Sequence, residues 1–249
     1  MRPFFKHFGS KWRLTTRTPK PRYDTIVEPF AGAAGYSTRY GAGQRVLLFD
    51  TDPRVATIWR WLLAAAPRDV LNLPVTPLFD RADVRELGLE PGAMYLVQTW
   101  LSPQGKSSVY RMTPMLIRGR YTHSGSMWSE VTRARLAAQL PGIQSWRFEA
   151  ASYEMSPAVE ATWHIDPPYQ GNLAGRGVYK TGPLDYSQLA IWCRTRRGQA
   201  MVHEQHGATW LPFQPLGTCV TGRDTDGRKT RRLEVWWQPQ GTFEMASRQ

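Results

Sequence analysis

DTIVEPFAGAAG, residues 24–35, starts as a short, largely apolar run and breaks into a turn of alanine and glycine. That is the pattern of a buried parallel strand (Asp24 to Phe30) feeding a tight loop (Ala31 to Gly35) and then a helix. RVLLFD, residues 45–50, is a second such strand and also ends in an acid. DPRVATIWRWLLAAA, residues 52–66, reads as a helix with Asp52 as its N-cap and Pro53 at the first helical position. Upstream, FFKHFGSKWRLTTRTPKPR (4–22) mixes aromatics with cations and predicts an ordered loop or short helix, broken by Pro19 and Pro21.

From Pro67 the pattern changes. Pro67, Pro74, Pro77 and Pro91 interrupt it, and residues 102–128 are rich in Gly, Ser, Arg and aromatics. We therefore expect an inserted region over 67–128 between two parts of one domain, 1–66 and 129–249. EVTRARLAAQL (130–140) resumes helical spacing, closed by Pro141 and Gly142. Strand-like runs follow at SWRFEA (145–150), ATWHID (161–166) and QAMVHE (199–204), with a helix, DYSQLAIWCRTRR (185–197), between the last two. LGTCVTG and RRLEVWW flank a turn at Thr225 to Gly227 and signal a hairpin. Strands alternating with helices and closing on a hairpin predict an α/β sheet, parallel except at its end.

The chain has 249 residues and carries 32 Lys plus Arg against 20 Asp plus Glu, a net +12. Such a surplus favours a polyanionic partner, because neutralised phosphates release condensed counterions. No stretch has the apolar length of a membrane span, and MRPFFKHFGSKW lacks the continuous apolar region of a signal peptide. Two cysteines, Cys193 and Cys219, give no disulfide framework and fit a reducing compartment. A cytoplasmic protein without a membrane partner is the expectation. Cys193, His203, His206 and Cys219 match no zinc spacing, so no metal is expected.

The chemistry concentrates in Asp166-Pro167-Pro168-Tyr169, directly after a strand. In an open α/β sheet ligands bind at the carboxyl ends of the strands, so Asp166 stands at a binding edge. An exocyclic amine such as N6 of adenine is a poor nucleophile while its lone pair is delocalised. A carboxylate and a carbonyl accepting its N–H bonds favour a more tetrahedral nitrogen and stabilise the charge that develops. Asp166 and the Pro167 carbonyl supply both, and Pro167 brings no N–H of its own to compete. Tyr169 supplies a face on which an extruded base can stack. Small residues in the 31–35 turn let backbone approach a cofactor, and Asp50 suits ribose hydroxyls, although a helix-capping role explains that acid equally well.

Together these motifs resemble the Dam-type DNA adenine methyltransferases, in content and in order. FFKHFGSKWRL is similar to the family's N-terminal motif, with Gly9-Ser10-Lys11 at its G-G-K-like step. VEPFAGAAG resembles the F-x-G-x-G cofactor motif, Asp166 to Tyr169 match D-P-P-Y, and KTRRLEVWW resembles the closing strand. The resemblance implies a Rossmann-like class I S-adenosylmethionine (AdoMet)-dependent methyltransferase sheet with a small target-recognition insert. It implies methyl transfer from AdoMet to N6 of a flipped adenine in duplex DNA by a monomer, in a bacterial or phage-infected cell. Catalytic roles fall to Asp166, Pro167 and Tyr169. AdoMet contacts fall to His7, Lys11, Phe30, Ala31, Gly32, Ala33, Asp50 and Asp166. Nucleic-acid contacts fall to Lys106, Arg111, Arg118 and Arg120 in the insert and to Arg223, Arg228 and Lys229 around the hairpin turn.

Three positions depart from the family pattern. Ala34 stands at the second glycine of the cofactor motif, with Gly35 one step late. His7 replaces an aromatic, and Ser152 precedes Tyr153 where the family has an acid. The competing readings are an N6-adenine RNA or N4-cytosine DNA methyltransferase, or a catalytically inactive nucleic-acid-binding protein on the same fold.

Overall fold

The fold is taken from a computed structural model. It describes residues 1–7, 9–75, 83–101, 109–111, 127–170, 184–223 and 229–239, and of residues 219–223 and 229–232 the backbone alone.

The apolar runs become strands. β1 (Thr25–Glu28) and β2 (Arg45–Phe49) bracket a short helix, α1 (Ser37–Tyr40). Then come α2 (Pro53–Ala64), α3 (Pro67–Leu71), α4 (Pro91–Thr99) and α5 (Glu130–Gln139). β3 (Arg147–Glu149), β4 (Glu160–Ile165), α6 (Tyr186–Arg194), β5 (Arg197–Gln205), β6 (Gln214–Arg223) and β7 (Lys229–Trp237) complete the order. The caps follow the sequence. Asp52, Ser129 and Asp185 side chains accept N–H bonds at the starts of α2, α5 and α6. α5 ends at Gln139, and Pro141 and Gly142 lie in the 3₁₀ turn Leu140–Ile143 that closes it.

The seven strands form one sheet in the order β3-β2-β1-β4-β5-β7-β6. The first five are parallel, and β7 runs antiparallel to both β5 and β6. Relative to the doubly wound order 3-2-1-4-5-6, one antiparallel strand is inserted before the last. Alternation sends Ile26, Val46, Leu48 and Met201 to one face, beneath α2, α4 and α5. Val27, Leu47, Phe49, Trp163, Ile165, Val202 and Trp237 go to the other face, beneath α6. The chain reverses its direction of travel across the sheet between β1 and β4, so the carboxyl ends of those strands flank the crevice where such sheets bind ligands.

Two of the prolines that interrupt the pattern after residue 66 open helices. Pro67 and Pro91 occupy the first turns of α3 and α4, where a missing N–H costs nothing. Val70, Val84, Leu96, Trp100 and Trp128 belong to the same apolar core as α2 and the sheet. Gly92 permits that packing: a Cβ there would lie 2.2 Å from Cβ of Trp61 on α2. Among the described residues no helix is long and apolar enough to cross a membrane.

Candidate active site at the carboxyl ends of the parallel strands

A cavity of about 220 Å³, at the small end for a small-molecule site, opens at that crevice. Its wall brings together His7, Lys11, Phe30, Ala31, Gly32, Ala33, Asp50 and Asp166, residues from four separate parts of the sequence. Ser152, Tyr153, Glu28, His164, Pro168 and Leu184 add to it. Pro167 is buried but is not part of the wall, and Tyr169 lies behind Lys11.

The turn after β1 is held from three sides. Ala31 N–H donates to the Phe49 carbonyl on β2 (2.9 Å), Gly32 N–H to Asp50 Oδ2 (2.8 Å), and Trp59 Nε1–H on α2 to the Gly32 carbonyl (2.8 Å). Asp50 accepts a second bond, from Asp52 N–H at 2.8 Å, so it fastens the turn to the end of β2 while its carboxylate still lines the cavity. Burial pushes Asp50 above its ordinary value, opposed by those two N–H bonds. Burial likewise holds His7 below its ordinary value, and its ring sits where a Cβ on Gly32 would come within 2.8 Å.

The turn after β1 holds one strained residue, Ala34. Ala34 adopts φ +47°, the only positive φ among the described non-glycine residues, at a cost of roughly 1–2 kcal/mol. Gly35 has a different use. A Cβ there would lie 2.9 Å from the Trp12 backbone nitrogen, so its bare backbone lets the N-terminal segment lie directly on the turn. That contact sets Lys11.

Lys11 is buried, and its ammonium lies 3.1 Å from Asp166 Oδ1, donates to the Gly9 carbonyl (2.7 Å) and sits 4.6 Å over the Tyr169 ring. Burial raises the Asp166 carboxyl, against the pull of Lys11. Two residues before it, His164 Nδ1 lies 3.1 Å from Glu28 Oε2, and Glu28 Oε1 accepts Ser37 N–H at 2.7 Å. The His164 ring stacks on Tyr36 at 4.8 Å and adjoins His203 at 4.7 Å. Burial holds His203 well below its ordinary value, which makes it a neutral imidazole. On the far wall Phe30 stacks on Tyr153 at 5.4 Å, a flat apolar surface next to Ser152.

The residues expected to contact nucleic acid fare unevenly. Arg111 is engaged within the chain, 3.4 Å from Asp83 and 3.5 Å from Glu86. Arg223 and Lys229 pair as the last rung of the β6–β7 ladder. Lys106, Arg118, Arg120, Arg228 and the turn at Thr225 to Gly227 lie outside the described residues. Sequence reasoning missed Glu28, His164, Glu204 and Glu234. The legible hint was a charged or imidazole side chain inside an otherwise apolar strand. No protein-family model matches the chain, and no curated protein matches it.

Proposed function

We propose that the chain is an AdoMet-dependent methyltransferase acting on the exocyclic amino nitrogen of adenine in DNA. The observation that carries this reading is the position of Asp166. Its carboxylate lines the same cavity as the small-residue turn after β1 and the acid ending β2. We read the antiparallel β7 as the class I variant of the doubly wound sheet.

The side chains fit AdoMet. Glu28, Asp50 and Asp52 give the cavity an acidic wall suited to a sulfonium and an ammonium group, and Phe30 with Tyr153 offers a flat apolar face to an adenine ring. Bound there, AdoMet supplies an electrophilic methyl group. Asp166 and the Pro167 carbonyl accept N–H bonds from the target amine and draw its lone pair out of the ring. Methyl transfer from a bound AdoMet would leave positive charge on that nitrogen, next to the Asp166 carboxylate. The carboxylate of Asp166 is the base to which the amine proton goes. Lys11 has to leave Asp166 and the ring of Tyr169 before a base can stack there. The net +12 supports a polyanionic substrate.

The test is incubation with methyl-labelled AdoMet and, in parallel, unmethylated duplex DNA and RNA, followed by digestion and identification of the labelled nucleoside. Label on N6 of deoxyadenosine is expected, and Asp166→Ala should abolish it with AdoMet affinity within a few-fold of wild type. Label from RNA alone refutes the substrate. Measurable AdoMet binding with no transfer to either, or retained turnover in Asp166→Ala, refutes the mechanism.

A further inference from the structure

The loop that carries Asp166 has a construction problem. Pro167 and Pro168 have no N–H, so the first four residues after β4 offer few donors with which to fasten it. The structure solves this from both faces of the sheet at once. Glu204 and Gln205 are adjacent at the end of β5 and so project to opposite faces, and Glu234 on β7 is the rung partner of Gln205. Glu204 is fully buried on the α6 face. Its Oε2 accepts Gln170 N–H at 2.8 Å and Trp210 Nε1–H at 3.0 Å, and its Oε1 accepts Gln205 N–H at 2.8 Å. Glu234, also buried, accepts the Tyr169 hydroxyl on the opposite face. Gln205 Nε2–H closes the grip on the Gln170 carbonyl at 2.9 Å, and Tyr186 OH holds the Pro168 carbonyl at 2.8 Å.

Two buried carboxylates on opposite faces of the sheet are costly unless hydrogen-bonded, and here each gives at least one acceptor bond to the same loop, Glu204 to Gln170 N–H and Glu234 to the Tyr169 hydroxyl. From this geometry we infer that Glu204 and Glu234 are positioning residues: Glu234 fixes the ring plane of Tyr169, and Glu204 fixes the backbone beneath it. Tyr169 is thereby presented as a rigid stacking face. The two acids touch neither the cavity wall nor the reacting atoms. The inference rests on the proposed function only for what is stacked on that face.

The test joins a structural readout with a kinetic one. Amide hydrogen exchange at Tyr169 and Gln170 is measured in wild type, Glu204→Ala, Glu234→Ala and Tyr169→Phe, with the amides of Ile26 and Val27 as an internal reference for the intact sheet. Glu204→Ala should speed exchange at Gln170 at least roughly tenfold while the reference stays fixed. In the methylation assay Glu234→Ala and Tyr169→Phe should each lower kcat roughly tenfold with AdoMet KM unchanged. The double variant should be no worse than either, because both remove one shared hydrogen bond, and Glu234→Gln should recover most of the loss. Unchanged exchange at residues 169 and 170 in both alanine variants, or kcat losses that multiply in the double variant, overturns the inference. If wild type transfers no methyl group, the proposed function falls and the exchange arm alone still decides the clamp. Tyr169→Phe, which deletes a single oxygen, serves where an alanine variant does not fold.

Discussion

Gly35→Ala is the sharpest single-atom probe of how the site is assembled. Gly35 does not occupy the left-handed region, so the substitution adds no backbone strain and only a methyl group. That methyl would sit 2.9 Å from the Trp12 nitrogen, 3.4 Å from the Lys11 nitrogen and 3.5 Å from the Lys11 carbonyl carbon. All three are backbone atoms, so no side chain can rotate away. The segment is also pinned: Arg39 Nη2–H donates to the Trp12 carbonyl (2.7 Å), and Leu14 and Thr15 N–H to the Lys11 carbonyl (2.7 and 2.9 Å). Relief requires the turn and the segment to part by about half an ångström, and overpacking of this kind costs roughly 1–3 kcal/mol. With about 2.1 cal/mol/K of unfolding entropy per residue, a chain of this length loses roughly 4 °C of Tm for 2 kcal/mol. Thermal unfolding followed by circular dichroism checks this, with Gly142→Ala as control, since a Cβ there meets only the flexible end of Met1 at 3.0 Å. If Gly35→Ala melts within about 1 °C of both wild type and the control, the turn does not seat Lys11 as described.

Two further outcomes follow from buried acids. Burial pushes Glu204 from 4.5 up to about 7, so the folded state holds a proton that the unfolded chain releases, and stability falls as pH rises between those values. Denaturant unfolding at pH 5 and pH 8 should show wild type losing up to about 3 kcal/mol relative to Glu204→Gln, and equal pH slopes in the two proteins would refute the assignment. Asp83 behaves oppositely: hydrogen bonds from Arg85 hold its carboxyl well below the usual range. Its stabilisation is present above the unfolded value near ~3.9 and is lost as pH falls through the folded one. Asp83→Ala, which also removes the N-cap bond to Arg85 N–H, should cost about 1 kcal/mol at pH 7, with the gap to wild type closing in acid.

β1, β2 and β4 were legible because each is a largely apolar run that ends at or just before an acid, and the Asp166 loop because two prolines after such a run leave a fixed bend. Helix starts were legible wherever a capping side chain preceded a proline, as Asp52 precedes Pro53. The same residue misled elsewhere. Pro67 and Pro91 open helices without a capping side chain before them, so in sequence they resembled breaks. Glu204 and Glu234 were invisible for a different reason. Their meaning depends on the β5–β7 register, which places Gln205 opposite Glu234, and a period of two shows which residues share a face but not which strands meet.

Glu28 ties the turn after β1 to the strand that leads into the Asp166 loop. It reads as the acid at the end of β1, yet one oxygen holds Ser37 N–H beyond the turn and the other lies against His164, two residues before Asp166. A second link runs from Gly35 through the Lys11 backbone to the Lys11–Asp166 pair. Both ends of the 31–35 turn are thus tied to β4 or its loop by short, buried contacts. A site whose two halves come from residues more than 130 positions apart needs such ties. Small residues alone would make room for a ligand without holding the acid in register with it.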